Sequence, residues 1–177
     1  SSVSAATLTP LTPSEWSAAV SSQNIVDFDT AGGTYTPPAS NGYFTFSAYK
    51  AVVQGVEFTS FWQGNSQYLI ASNYNSWSTG AVLKTQAYTT GTNYIHILFP
   101  VATTAFAADL VTGGSYGTFT VSAGGDSYTT PTVSQAALRT FAFTFTSPVT
   151  FVDLYYTNSY QSAIVDNIIY ATAGSTG

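Results

Sequence analysis

The stretch TFAFTFTS, residues 140–147, alternates strictly, with Phe141, Phe143 and Phe145 on one side and Ala142, Thr144 and Thr146 on the other. Period-two patterning with aromatics on one face predicts a half-buried antiparallel strand that must lay its Phe row against a second layer. Similar runs, rich in Val, Ile, Thr, Tyr and Phe, lie near 24–30, 43–49, 55–61, 67–72, 80–84, 93–99, 104–111, 116–123, 138–146, 149–157 and 163–171. Gly, Pro, Asn and Ser punctuate them, and the glycines of TGG (112–114) and AGGDS (123–127) supply the positive φ that tight hairpins need. No repeat period suggests propeller blades or a solenoid. The expectation is an all-β chain, an antiparallel β-sandwich of jelly-roll type.

Ahead of the strands, TPSEWSAAV predicts one short N-terminal helix. Thr12 is the N-cap, Pro13 stands at the first helical position, Glu15 completes a capping box, and Trp16, Ala19 and Val20 share the buried face. Residues 1–11 are small, polar and unpatterned, and read as a flexible arm before a single domain over 12–177.

Composition narrows the partners. Only 6% of residues are charged, so the surface must be built from hydroxyls, amides and aromatics. Lys50, Lys84 and Arg139 stand far apart in sequence, which leaves no basic patch for a phosphate backbone and argues against nucleic acid. The absence of Cys excludes disulfides and Cys-ligated zinc. No apolar run approaches the roughly 20 residues of a membrane helix. A chain that starts at Ser1 without Met or Cys fits an exported, processed protein.

The order IVDFDT, GVEFTSF (55–61), NYIHILFPVATTAFAADL (93–110), GTFTVSAGGDSYTT (117–130), FAFTFTSPVTFVDLYYTN (141–158) and IVDNIIYA (164–171) resembles bacterial exported proteins of the PEP-CTERM type. The resemblance spans most of residues 12–171 and rests on element order and a few dipeptides. It implies an extracellular, non-catalytic, jelly-roll-like domain of the bacterial cell surface, linked to biofilm matrix and exopolysaccharide. The Pro-Glu-Pro sorting motif of that family is not among these residues.

Four constellations could carry function. Catalysis has little to work with: His96 is the one imidazole, flanked by Ile95 and Ile97, and Glu57 has no evident carboxylate partner. Asp27 and Asp29, on alternate residues, suggest a structural calcium shared with Asp166 on the last strand, or charges that blunt an edge strand against pairing. SFWQGNSQYLIASNYNSWS (60–78) gathers Trp62, Tyr68, Tyr74 and Trp77 among Gln63, Asn73 and other polar residues, a composition suited to stacking sugar rings and binding their hydroxyls. Finally, Val3, Ala5, Leu8 and Leu11 could anchor the arm on a neighbouring sheet edge. The main expectation is a non-catalytic surface or matrix protein that self-associates into a homopolymeric filament by strand addition. The alternative is a module that binds neutral polysaccharide through an aromatic platform.

Overall fold

A computed structural model describes residues 5–30, 37, 43–45, 50–60, 67–70, 80–85, 93–113, 117–131, 133, 139–156 and 162–173. Along them run β1 (Leu8–Leu11), α1 (Pro13–Ala19), β2 (Val20–Val26), β3 (Tyr43–Thr45), β4 (Lys50–Val53), β5 (Val56–Ser60), β6 (Gln67–Ile70), β7 (Val82–Thr85), β8 (Asn93–Gly113), β9 (Phe119–Ala123), β10 (Asp126–Thr129), β11 (Arg139–Tyr156) and β12 (Ser162–Ala173).

A long antiparallel ribbon of β8 and β11 organises the fold. Arg139–Thr144 pairs with Leu110–Ala105, and Phe151–Tyr156 pairs with Leu98–Asn93; between these blocks the register shifts twice, around Val149. The exposed Pro100 and Pro148 fall in this irregular stretch, where a strand tolerates a missing N–H. Sequence patterning reads each strand as two runs, 93–99 with 104–111 and 138–146 with 149–157, yet the backbone continues through both.

The two blocks recruit different neighbours. The first half of β8 and the second half of β11 form a front layer in the order β4–β5–β8–β11–β9–β10. The other halves form a back layer, with β1 on β11, and β12 on β8, continuing to β7, β6 and β3; β2 pairs with the later part of β12. All pairings are antiparallel, and rings meet across the layers: Phe28 and Phe58 lie 5.5 Å apart, Tyr128 and Phe143 5.4 Å, and Phe99 and Tyr170 5.3 Å between centroids. The result is an antiparallel β-sandwich of jelly-roll type with one short helix.

Phe141, Phe143 and Phe145 face the core as the alternation predicts, and Thr144 and Thr146 face outward. Ala142 also faces outward but is buried, because Trp16 of α1 lies over Ala105, Ala107, Ala142 and Ala171 on the outer side of the back layer. Small side chains let the helix approach closely, and the indole N–H donates to the Phe143 carbonyl at 2.8 Å. The capping box forms as expected: Thr12 Oγ1 accepts from the Glu15 N–H, while a Glu15 carboxylate oxygen accepts from the Thr12 N–H. The Thr12 hydroxyl, and then its N–H, hold the Glu15 carboxyl below its usual range. Val20 turns out of the helix with extended dihedrals and begins β2.

The expected flexible arm is corrected over its second half. Leu8–Leu11 pairs with Phe145–Ala142 of the same chain, and Ala6 and Leu8 are buried in the core. Alternation too short to register in sequence suffices here because β11 offers an open edge. The strand is tied to the front layer as well, since the Leu8 N–H donates to Asp126 Oδ2 at 2.9 Å. AGGDS makes the β9–β10 hairpin with Gly124 and Gly125 at φ 60° and 91°. TGG reads differently, because β8 continues through Gly113.

Candidate functional site

The outer face of the front layer has no described element packed over it. Alternation sends Ile95, Ile97, Val152, Leu154, Phe119 and Val121 inward, which leaves their neighbours pointing out. Register then sorts the outward residues into rows across the sheet. Tyr94, Tyr155, Thr120 and Thr129 are successive partners in one row. Lys50, Thr59, His96, Asp153, Ser122 and Ser127 make the next, and Val52, Glu57, Leu98 and Phe151 the third.

The first row is aromatic and hydroxylic. The Tyr94 and Tyr155 rings stack with centroids 4.8 Å apart and planes at 30°, and the Thr120 and Thr129 hydroxyls are 2.9 Å apart. Desolvation, then the charge of Asp153 and the neighbouring Tyr155, raise the Tyr94 phenol above its usual range, so its proton stays available for donation. The middle row is polar, with the His96 Nδ1–H donating to Asp153 Oδ1 at 2.6 Å. The third row is apolar apart from Glu57: Phe151 is 40% exposed and Val52 47%, with the Phe151 ring centroid 4.8 Å from that of His96. Four residues along β8 and β11 separate the first and third rows, a span of about 13 Å.

Each carboxylate on this face has a partner. Lys50 Nζ sits 2.5 Å from Glu57 Oε1, and His96 stands against Asp153. Both carboxylates of the face are thus engaged, with aromatic rings at both ends of a hydroxyl and imidazole strip. Such a face can stack apolar ring faces while exchanging hydrogen bonds with hydroxyls. His96, weighed in sequence as a general base, is here one half of that surface pair.

Of the residues expected to bind sugar, only the backbone of Tyr68 is described. Trp62, Gln63, Asn73, Tyr74 and Trp77 lie outside the described residues; Tyr68 lies in β6 of the back layer, paired with Thr45 and Lys84, and its side chain too lies outside them. Sequence reading weighs His96 as a base and sees Tyr155 at the start of the aromatic run YYTNSYQS (155–162), but does not join either to Tyr94 and Asp153, because the four are spread over two runs. Only the register of β8 on β11 makes them neighbours; the outward phase of each run was the available signal.

The three aspartates expected to share calcium do share a neighbourhood. β2 ends at Val26, so Asp27 and Asp29 stand in a turn rather than on an edge strand, with Asp27 Oδ1 accepting from the N–H groups of Asp29 and Thr30. Phe28 between them is fully buried at φ 61°, a strained conformation for so bulky a residue. Asp29 Oδ1 accepts from the Ala81 N–H at 2.6 Å. Asp166, 4% exposed, sits at a bulge of β12 directly opposite Asp109 and accepts from the Asn167 N–H. Burial, then Asp109, Asp29 and Asp27, push its carboxyl up to about 8 against the lowering effect of that one hydrogen bond. Among the described residues, no three His, Asp or Glu side chains are grouped closely enough to hold an ion. Of the arm's anchors, Ala5 is exposed, Leu8 buried and Leu11 half-buried in the chain's own fold, and Val3 lies outside the described residues.

No family model and no curated protein matches the sequence. Among solved structures, the chain is similar to a mutant family 29 carbohydrate-binding module complexed with mannohexaose, at 11% identity and TM-score 0.47, over 74% of this chain and 92% of that one. It is similar at the same identity and TM-score to the N-terminal CBM22-1–GH10 modules of Clostridium thermocellum xylanase 10B complexed with xylohexaose, over 74% of this chain and 30% of that one. A further family 29 module matches at 9% identity and TM-score 0.37, over 85% and 88% of the two chains. No helix among the described residues is long and apolar enough to cross a membrane.

Proposed function

We propose that this domain is a non-catalytic, extracellular glycan-binding module that takes a neutral oligosaccharide across the front face. The observation that carries the reading is the row structure: the Tyr94–Tyr155 stack and the Phe151–Leu98 patch, about 13 Å apart, flank a hydroxyl-lined strip whose nearby carboxylates are each engaged, Glu57 by Lys50 and Asp153 by His96. Sugar rings present apolar C–H faces to aromatic rings and equatorial hydroxyls to Thr, Ser and His, so a chain of several residues satisfies both kinds of group at once. The resemblance to PEP-CTERM-type proteins and the 6% charged fraction support an exported bacterial setting rich in neutral polymer.

Filament formation through the arm is not carried forward, because Leu8–Leu11 is already engaged with β11 of its own chain. The test is affinity electrophoresis through gels containing soluble neutral polysaccharides, comparing the natural chain with Tyr155→Ala and Phe151→Ala. Retardation by at least one glycan, weakened about tenfold in each variant, is expected, equivalent to about 1.4 kcal/mol. Mobility indifferent to every glycan, or retardation unchanged in both variants, overturns the reading.

A further inference from the structure

On the opposite side of the sandwich a half-open cavity of about 320 Å³ lies between α1, β2 and the outer face of the back layer. Its volume falls at the small end of ligand-binding pockets. Trp16, Ala142, Ile25 and Ile169 give it apolar walls, and Asp109, Thr140 and Asn167 gather at one side.

That polar group is built rather than incidental. The Thr140 hydroxyl donates to Asp109 Oδ1 at 2.5 Å, and the Asn167 amide donates to Oδ2 at 2.8 Å. The bulge between Asp166 and Ile169 makes the second contact, since Asn167 adopts φ 46°, a conformation Asn tolerates, and its side chain reaches across to β8. With the carboxylate held from both sides, further lone pairs on Asp109 and Thr140, together with the carbonyl and second N–H of Asn167, remain for a guest.

The geometry points to a second carbohydrate site here, one that takes a single neutral pyranose residue, such as a chain end or branch, rather than a length of chain. An anionic guest meets Asp109 and no basic side chain in the lining. A purely apolar guest would strand the carboxylate, at the cost of an unsatisfied charged group. A hydroxylated ring puts its C–H face on the apolar walls and its amphoteric hydroxyls against Asp109, Thr140 and Asn167. The inference is independent of the front face, which lies on the other sheet.

The test follows the indole N–H resonance of Trp16 while the chain is titrated with glucose, mannose, galactose and xylose, with glucosamine and glucuronate as cationic and anionic comparators. A saturable shift with at least one neutral sugar is expected, weakened tenfold or more by Asp109→Ala. It is also expected to weaken by that much in Ser17→Phe, which plugs the rim from an exposed helix position and leaves the polar group intact. Tyr155→Ala leaves this shift unchanged while weakening retardation on polysaccharide gels about tenfold, which separates the two sites. Absence of a shift with every neutral sugar, a response to glucosamine alone, or binding undiminished in Ser17→Phe overturns the assignment.

Discussion

Asp166 makes the stability of this protein depend on pH in the direction opposite to a salt-bridged carboxylate. Its ordinary carboxyl value of 3.8 is raised in the folded chain to about 8. Below pH 4 both folded and unfolded states hold the proton and nothing changes. Between about 4 and 8 the unfolded chain releases the proton and the folded chain keeps it, so the folded state binds more protons and stability falls as pH rises. Above 8 the loss is complete. A shift of about 4 units at 1.36 kcal/mol each sets a ceiling of about 6 kcal/mol, an upper bound for a carboxyl that is only partly desolvated. A loss of at least about 2 kcal/mol specific to Asp166 is therefore expected between pH 5 and 9. Asp166→Asn mimics the protonated form, keeps an acceptor for the Asn167 N–H and removes the titration.

The assay is urea unfolding of both chains at intervals from pH 4 to 9 in the presence of chelator. The difference between the two free-energy profiles cancels every other titrating group. The natural chain should fall relative to Asp166→Asn across this window, and identical slopes would refute the reasoning. Repeating the pH 9 measurement with calcium tests the proposal of an ion shared by Asp27, Asp29 and Asp166. An ion bound only by the folded state raises the natural chain's stability and leaves Asp166→Asn behind, whereas equal responses remove the proposal.

Other perturbations have defined outcomes. Trp16→Ala should cost about 3–5 kcal/mol by urea unfolding and expose the alanine floor of the back layer, with increased binding of a hydrophobic dye as the second readout. Thr12→Ala removes the capping hydroxyl and should cost about 1 kcal/mol, much less than the tryptophan, because the helix is held mainly by its packing. Gly80→Ala should cost at least about 2 kcal/mol in the same assay, since φ is 96° there and an added Cβ would fall on the Asp29 carboxylate. A change of a few tenths would show that the 27–29 turn gives way easily.

The sequence carries the architecture wherever the pattern is local. Alternating Phe141, Phe143 and Phe145, the Thr12–Glu15 capping box and the paired glycines at 124 and 125 each act within a few residues, and each is found as read. What stays hidden depends on pairing between distant residues. β1 is too short to announce itself and exists because the edge of β11 accepts it. β4 is likewise missed, since its turn at Gln54 and Gly55 lacks the expected Asn or Asp before glycine. The candidate site is the extreme case. The aromatic density around Trp62 and Trp77 drew attention by composition, whereas Tyr94 and Tyr155, 61 positions apart in the chain, become a stack only through the β8–β11 register.

The two outer faces of the sandwich differ for a reason visible in single residues, and the difference bears on function. On the back layer the outward positions near α1 are alanines, and that is what allows Trp16 to lie flush on the sheet. On the front layer the equivalent positions are Tyr94, His96, Phe151, Asp153 and Tyr155, too large and too polar for a helix to cover without stranding a charge. Leaving Phe151 40% exposed forgoes burial that a smaller residue would not have required. Edge protection does not explain it either, because β8 and β11 are central strands paired on both sides. This aromatic face in the middle of a sheet, with no described element packed over it, is what the proposed glycan site rests on. The polysaccharide gels, with Tyr155→Ala and Phe151→Ala beside the natural chain, test that site at the two residues whose exposure folding alone does not account for.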